Sequence, residues 1–172
     1  MNHTEQVAYH EAAHAVLAIH YGMGLSGGID LNAETSVDGA FGNVAVNLWQ
    51  FDSSTSLQEQ KSVLVCNLAV ICAGAASDAK LKGIPLTSAL DAQPGDYKKA
   101  VEIARTCRLA ADEYEVDFMV KEVGLVRASR DAEKREVWEA IVRVATATLE
   151  AGGKLSKEKV AALGAVSHSL GG

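Results

Sequence analysis

His10-Glu11-Ala12-Ala13-His14 is the one short stretch of this sequence in which residue types and spacing together define a chemistry. In a helix, residues four apart are separated by about 400° of rotation, so the two imidazoles lie about 40° apart on one face. Two imidazoles one turn apart can hold a single zinc ion. Glu11, offset by one residue, can reach a water on the metal's open position. The metal lowers the pKa of that water and the carboxylate takes its proton. The chemistry therefore needs this order of residues, not merely this composition.

A catalytic zinc takes three protein ligands and leaves one position for water. His20 extends the pattern to the metzincin spacing, His10-Glu11-x-x-His14-x-x-Leu17-x-x-His20. That pattern turns the chain at a glycine where Leu17 stands here. With Leu17 continuing the helix, His20 is rotated by about 240° from His14 and is expected to face away. His3 and His168 lie near the ends with no motif around them. Carboxylates remain. In Ala92-Gln93-Pro94-Gly95-Asp96-Tyr97 a Pro/Gly turn leads into a helix and fixes Asp96 in its first turn, where an acid also serves the exposed N–H groups. Asp91 precedes it in the loop, and Glu34 and Asp38 fall in a glycine-rich region. The residues alone leave these four open.

The motif must be carried by a helix over residues 2–21, with Asn2 and Glu5 forming a capping box and Gly22 and Gly24 ending it. Residues 22–55 form a β-containing loop region with two strand-like runs, Gly28 to Asn32 and Asn43 to Trp49. Val44, Val46 and Leu48 alternate with Ala45, Asn47 and Trp49, as in a partly exposed ribbon. Residues 56–166 read as helical. Ser56 and Glu59 make a second capping box, opening a helix to about Lys82. Its stretch from Val63 to Ala76 is apolar on every side, which predicts a central, buried helix. A loop from Gly83 to Gly95 holds both prolines. A helix from about Asp96 then breaks among Asp112, Glu113, Glu115 and Asp117 and continues to Lys121. Gly124 separates it from a helix over Arg130 to Ala151, capped by Ser129 and stopped by Gly152-Gly153. Ser156 caps a last helix to about Val166, and residues 167–172 are expected to fray. The expectation is a mainly α fold, residues 1–172 forming a single-domain helical array with a small β-ribbon and the zinc site on the first helix.

Composition narrows the functions open to such a chain. It has 172 residues and a formal charge of −6, with 22 acids against 16 bases. That balance argues against a nucleic-acid surface built on phosphate neutralisation. The uncharged, largely apolar stretch Ser62 to Ser77 is shorter than the roughly 20 residues that cross a bilayer, so no membrane insertion is expected. No phosphate-binding G-x-x-x-x-G-K-[ST] occurs. Cys66, Cys72 and Cys107 form no C-x-x-C pair and read as free buried thiols of a cytoplasmic protein, with a nucleophilic Cys107 as the lesser alternative.

Val7-Ala8-Tyr9-His10-Glu11-Ala12-Ala13-His14-Ala15-Val16 resembles the zinc helix of FtsH-type ATP-dependent metallopeptidases, whose motif is HEAGH. Ile71-Cys72-Ala73-Gly74-Ala75-Ala76-Ser77-Asp78 is similar to that family's apolar helix ending in an AGRAAE-like stretch. Gly95-Asp96-Tyr97-Lys98-Lys99-Ala100-Val101-Glu102-Ile103-Ala104-Arg105 is similar to its N-D-L-x-x-A-T-x-I-A-R segment. The C-terminal Ala147-Thr148-Leu149-Glu150 and Leu155-Ser156-Lys157-Glu158 resemble its last helices. The resemblance implies Zn²⁺ held by His10, His14 and Asp96, with Glu11 as general base, and hydrolysis of peptides or unfolded proteins. Ala13 replaces a glycine, a small change, and Ser77-Asp78 replace paired acids, which on this reading touches nothing catalytic. Residues 22–55 match poorly, and the family's membrane segment and AAA ATPase module have no counterpart in this sequence. Peptidase activity is thus expected without intrinsic ATP dependence, with a homo-oligomer or a separate AAA ATPase as partners to consider. The alternative is a non-catalytic domain that keeps the fold, and perhaps the metal, and binds a partner.

Overall fold

Asn2 and Ser56 open the two helices around which the other elements gather. In the computed structural model, which describes residues 1–34, 41–107, 109 and 112–166, both capping boxes form. Asn2 accepts from the Glu5 amide and Glu5 from the Asn2 amide, and Ser56 and Glu59 repeat the exchange. Each reciprocal pair satisfies two of the N–H groups that a helix start leaves without partners.

The elements run α1 (His3–His20), β1 (Leu25–Glu34), β2 (Phe41–Val46), α2 (Leu57–Ile71), α3 (Ala73–Lys82), α4 (Leu86–Asp91) and α5 (Pro94–Thr106). Then come α6 (Glu113–Phe118), a wider π-helical segment (Met119–Leu125), α7 (Val126–Glu133), α8 (Arg135–Glu150), β3 (Lys154–Leu155) and α9 (Lys157–Gly164). The result is a mainly helical array with one small antiparallel sheet of order β2–β1–β3. Ile29 pairs with Val44 on one side and Leu155 on the other. Within the sheet β2 is therefore an edge strand.

α1 is the central rod. Ala8, Ala12, Ala13, Ala15, Val16, Leu17 and Ala18 are all fully buried, and α8, α3, α9 and both long strands pack on it. The alanines let those neighbours approach closely, and Val16 and Leu17 fill what space remains, each worth about 1.5–3 kcal/mol of apolar burial. The buried apolar side chains of the described residues form one cluster. None of the described helices is by itself long and apolar enough to cross a membrane; α2 and α3 together are, but they meet at a 47° bend.

That bend corrects the expectation of one helix from Ser56 to Lys82. Cys72 ends α2 and starts α3, and the turn directs the Val70 carbonyl towards α1, where His14 Nδ1 donates to it at 2.7 Å. The buried middle is as expected, with Leu64, Leu68, Ala69, Val70 and Ile71 all in the core. The loop from Gly83 to Gly95 contains α4, seated by buried Ala89 and Leu90. α5 begins at Pro94, two residues before Asp96, because the missing N–H of proline costs nothing in a first turn.

Gly124 separates nothing. It lies inside continuous helix, and a Cβ there would stand 2.6 Å from Leu68 Cβ, so the glycine marks a close crossing with α2. The break falls instead at Lys134, whose extended backbone divides α7 from α8 and leaves Ser129 in mid-helix. Gly152 and Gly153, at φ 71° and 92°, stop α8 as expected. Ser156 caps α9. β3 between them was not foreseen. β2 ends at Val46 rather than Trp49, because the fully buried amide of Asn67 on α2 takes both the N–H and the C=O of Trp49. The expected fraying of residues 167–172 lies outside the described residues.

Candidate metal centre

Three elements from distant parts of the chain bring their side chains to one point. α1 supplies His10, Glu11 and His14; the first turn of α5 supplies Asp96; α3 and the bend before it supply the surroundings. His10 Nε2 lies 3.0 Å and His14 Nε2 3.2 Å from Asp96 Oδ2, and the two nitrogens are 3.1 Å apart. A tetrahedral zinc with bonds of about 2.0–2.1 Å has ligand-to-ligand edges of about 3.3 Å, close to all three. Among the described residues, these three form the group that could hold a metal ion.

The outer hydrogen bonds decide what those atoms are. The Val70 carbonyl can only accept, so His14 carries its proton on Nδ1. Asp78 Oδ2 lies 3.3 Å from His10 Nδ1 and also accepts from Gln93 Nε2 at 2.9 Å, so His10 Nδ1 is a donor as well. Neutral imidazoles with Nδ1–H present lone pairs at Nε2. Two Nε2 atoms, each of which presents a lone pair when its ring is neutral, thus converge with a carboxylate oxygen within about 3 Å, an arrangement that calls for positive charge between them, whether a proton or a metal ion. The same demand shows in the ionisation of the groups. Burial by itself would lower the His10 pKa, but hydrogen bonds to Asp78 and Asp96 outweigh it and raise it to about 10. Burial likewise opposes ionisation of Asp96, yet His14 and His10 hold its carboxyl well below the usual carboxylate range. A divalent cation fits this donor set.

The group lies in a cleft of about 960 Å³. α1 forms its floor, with Glu11 buried there beside the two histidines. β2 contributes Asn43 to Val46 to its lining, and α5 contributes its first residues with Lys99 and Ile103. The edge strand therefore borders the same space that the three ligand atoms face.

The structure brings His10, His14 and Asp96 together and sets Glu11 beside them. His3 lines the same cleft without joining the three ligand atoms, and the other candidates are not brought in. His20 ends α1 against the Tyr21 ring, as its rotation from His14 predicts, and Asp91 is exposed at the end of α4. Glu34 is described by its backbone alone, and Asp38 and His168 lie outside the described residues. Cys107 is buried away from the cleft, and burial pushes its thiol up. Burial pushes the Cys72 thiol to about 12, so it is no competing thiolate.

Two residues gain a role that sequence reasoning did not give them. Asp78 contacts His10 directly. Gly74, one turn earlier on α3, lies flat against the imidazole: an added Cβ would stand 2.3 Å from His10 Cε1 and Nε2. The signal was present in the Gly74-x-x-x-Asp78 spacing, which puts both on one helical face, but nothing in the sequence aims that face at His10. No protein-family model matches the chain, and neither does any curated protein.

Proposed function

We propose that this chain is a zinc metallopeptidase domain of FtsH-peptidase-like design that cleaves extended peptide segments. The observation that carries this reading is the convergence of the His10 and His14 Nε2 atoms and Asp96 Oδ2, with Glu11 in the same cleft. The three would hold Zn²⁺. A zinc ion bound there supplies Lewis acidity, lowering the pKa of a bound water and polarising a carbonyl. Glu11 would take a proton from the attacking water and give one to the leaving amine. Its place one residue after His10 aims it into the cleft without making it a ligand. Asp96 and His14 stay fixed by the first turn of α5 and by the Val70 carbonyl.

Substrate recognition follows from the β2 residues that line the cleft. An extended chain adding to the open edge of β2 satisfies its own backbone groups while lying across the histidines. Only a segment free of its own tertiary structure can do this, so peptides and unfolded proteins are the substrate class. An AAA ATPase acting in trans would extend the range to folded proteins. The free thiols of Cys66, Cys72 and Cys107 suit a cytoplasmic setting.

The test is metal content and proteolysis together. Purified protein should carry one zinc per chain, and Asp96→Ala should lose it. Glu11→Gln should keep the zinc and lose digestion of casein by about 10²–10⁴-fold, as chelation does for the wild type. Zinc retained in Asp96→Ala, or casein cleaved by Glu11→Gln at the wild-type rate, defeats the proposal. Stoichiometric zinc with no hydrolysis at all would mean a metal-bearing domain that binds extended partners without cutting them.

A further inference from the structure

The hydrogen bonds around α3 carry one step beyond the ligand set. Asp78 is almost fully buried, with its side chain 4% exposed, and is a ligand to nothing in the triad. A buried carboxylate in such a place needs partners. Its Oδ2 has three: His10 Nδ1 at 3.3 Å, Gln93 Nε2 at 2.9 Å and, more distantly, Lys82 Nζ at 3.8 Å. The first two matter most because of where they sit in the chain. His10 is a ligand on α1. Gln93 is the residue immediately before α5, three positions ahead of the ligand Asp96. A single carboxylate oxygen on a third helix therefore joins the two segments that must meet for the site to exist.

We infer that Asp78 is the positioning residue of this metal centre, holding His10 as the Nε2-presenting tautomer and, through Gln93, holding the start of α5 at the distance that brings Asp96 to it. The inference rests on the metal-centre reading above and adds to it which residue outside the ligand set makes the site. His14 needs no such carboxylate, since the Val70 carbonyl fixes its tautomer. His10 has no backbone carbonyl in that role. Without Asp78 its ring can turn over and offer Nδ1 instead, and the Gln93 amide loses its acceptor. The two losses fall on different ligands, so they compound.

The experiment measures zinc affinity by competition with a chromogenic chelator, for wild type, Asp78→Ala, Asp78→Asn and Gln93→Ala, with helicity and melting temperature followed alongside. Removing such an outer partner weakens metal binding by about 10–100-fold, and Asp78→Ala should do so while helicity is retained. Asp78→Asn keeps an acceptor for His10 and should recover part of the loss. Gln93→Ala should shift affinity in the same direction by less than Asp78→Ala. A second readout separates positioning from general loosening. In the Co²⁺-loaded protein the imidazole N–H protons of both ligands give exchangeable, strongly shifted NMR signals. Asp78→Ala should lose the His10 signal to solvent exchange and keep that of His14. Wild-type affinity in Asp78→Ala, or a His10 signal as persistent as that of His14, overturns the assignment. If Asp78→Ala does not fold, Asp78→Asn and Gln93→Ala carry the comparison, and unchanged affinity in both overturns it equally. A wild type that takes up neither zinc nor cobalt fails differently, removing the metal centre and with it the role of Asp78.

Discussion

Gly74→Ala is the smallest change that should disable the site from a position that touches no metal. Alanine is favoured over glycine in a helix by about 1 kcal/mol, so on propensity alone the substitution should stabilise α3. The structure opposes that. The new Cβ would lie 2.3 Å from His10 Cε1 and Nε2 and 2.6 Å from Cδ2, whereas carbon atoms in contact sit about 3.5–4.0 Å apart. Something must move by about 1.2 Å. If the ring moves, Nε2 leaves its place, and a metal site tolerates ligand errors of only about 0.2 Å. If instead α3 backs away from α1, the overpacking costs about 1–3 kcal/mol, the more so because α1 is buried along this whole stretch. Zinc titration against a chelator and thermal melts separate the two responses. The expected result is at least a hundredfold weaker zinc binding, or a melting temperature several degrees lower, or both. The matched control is Gly95→Ala, next to the ligand Asp96 but with nothing within 4 Å of the new methyl; it should change neither quantity for the worse. A Gly74→Ala protein with wild-type zinc affinity and wild-type melting would show that His10 does not lie against α3 as described.

Asp131 supplies a pH test remote from the metal. Its carboxylate accepts from Tyr21, Arg127 and Lys134, and these hydrogen bonds outweigh burial and hold its pKa at about 2. A depressed pKa gives stability above the unfolded value of about 4, lost as pH falls towards 2. The melting-temperature gap between wild type and Asp131→Asn should therefore be widest near neutrality and close between pH 4 and 2; a gap independent of pH would sink the assignment. Gly124→Ala places a methyl 2.6 Å from Leu68 Cβ and should destabilise by about 1–3 kcal/mol in urea titrations despite better helix propensity; a stabilised variant would contradict the close crossing. Asn67→Ala strands the N–H and C=O of Trp49 and should cost about 1–3 kcal/mol, with faster amide exchange at Trp49 as the local signature. Unchanged exchange there would count against the clamp.

What could be read from the sequence and what could not divide along a physical line. Local chemistry was legible. The two capping boxes and the Gly152-Gly153 stop each follow from residues within one turn of one another, the apolar stretch through α2 follows from one continuous segment, and each is where it should be. So is the one-face pairing of His10 and His14, which needs only helical rotation. The misreadings arise where one segment is decided by another. Gly124 reads as a breaker until Leu68 is known to lie against it. Trp49 reads as strand until Asn67 takes its peptide groups. Cys72 reads as mid-helix, yet the bend there turns the Val70 carbonyl to His14. Asp78 is the sharpest case, because a carboxylate after a small-residue stretch looks like a solvated helix end. Its weight comes from two contacts, to residues 68 and 15 positions away. A ligand announces itself through a motif because the metal constrains its type and spacing. A residue that orients a ligand is constrained only by where that ligand's far nitrogen happens to point. Such residues become visible only once the packing of α3 against α1 is known, which is why the carboxylate that seemed least connected to the chemistry is the one that touches both halves of the site.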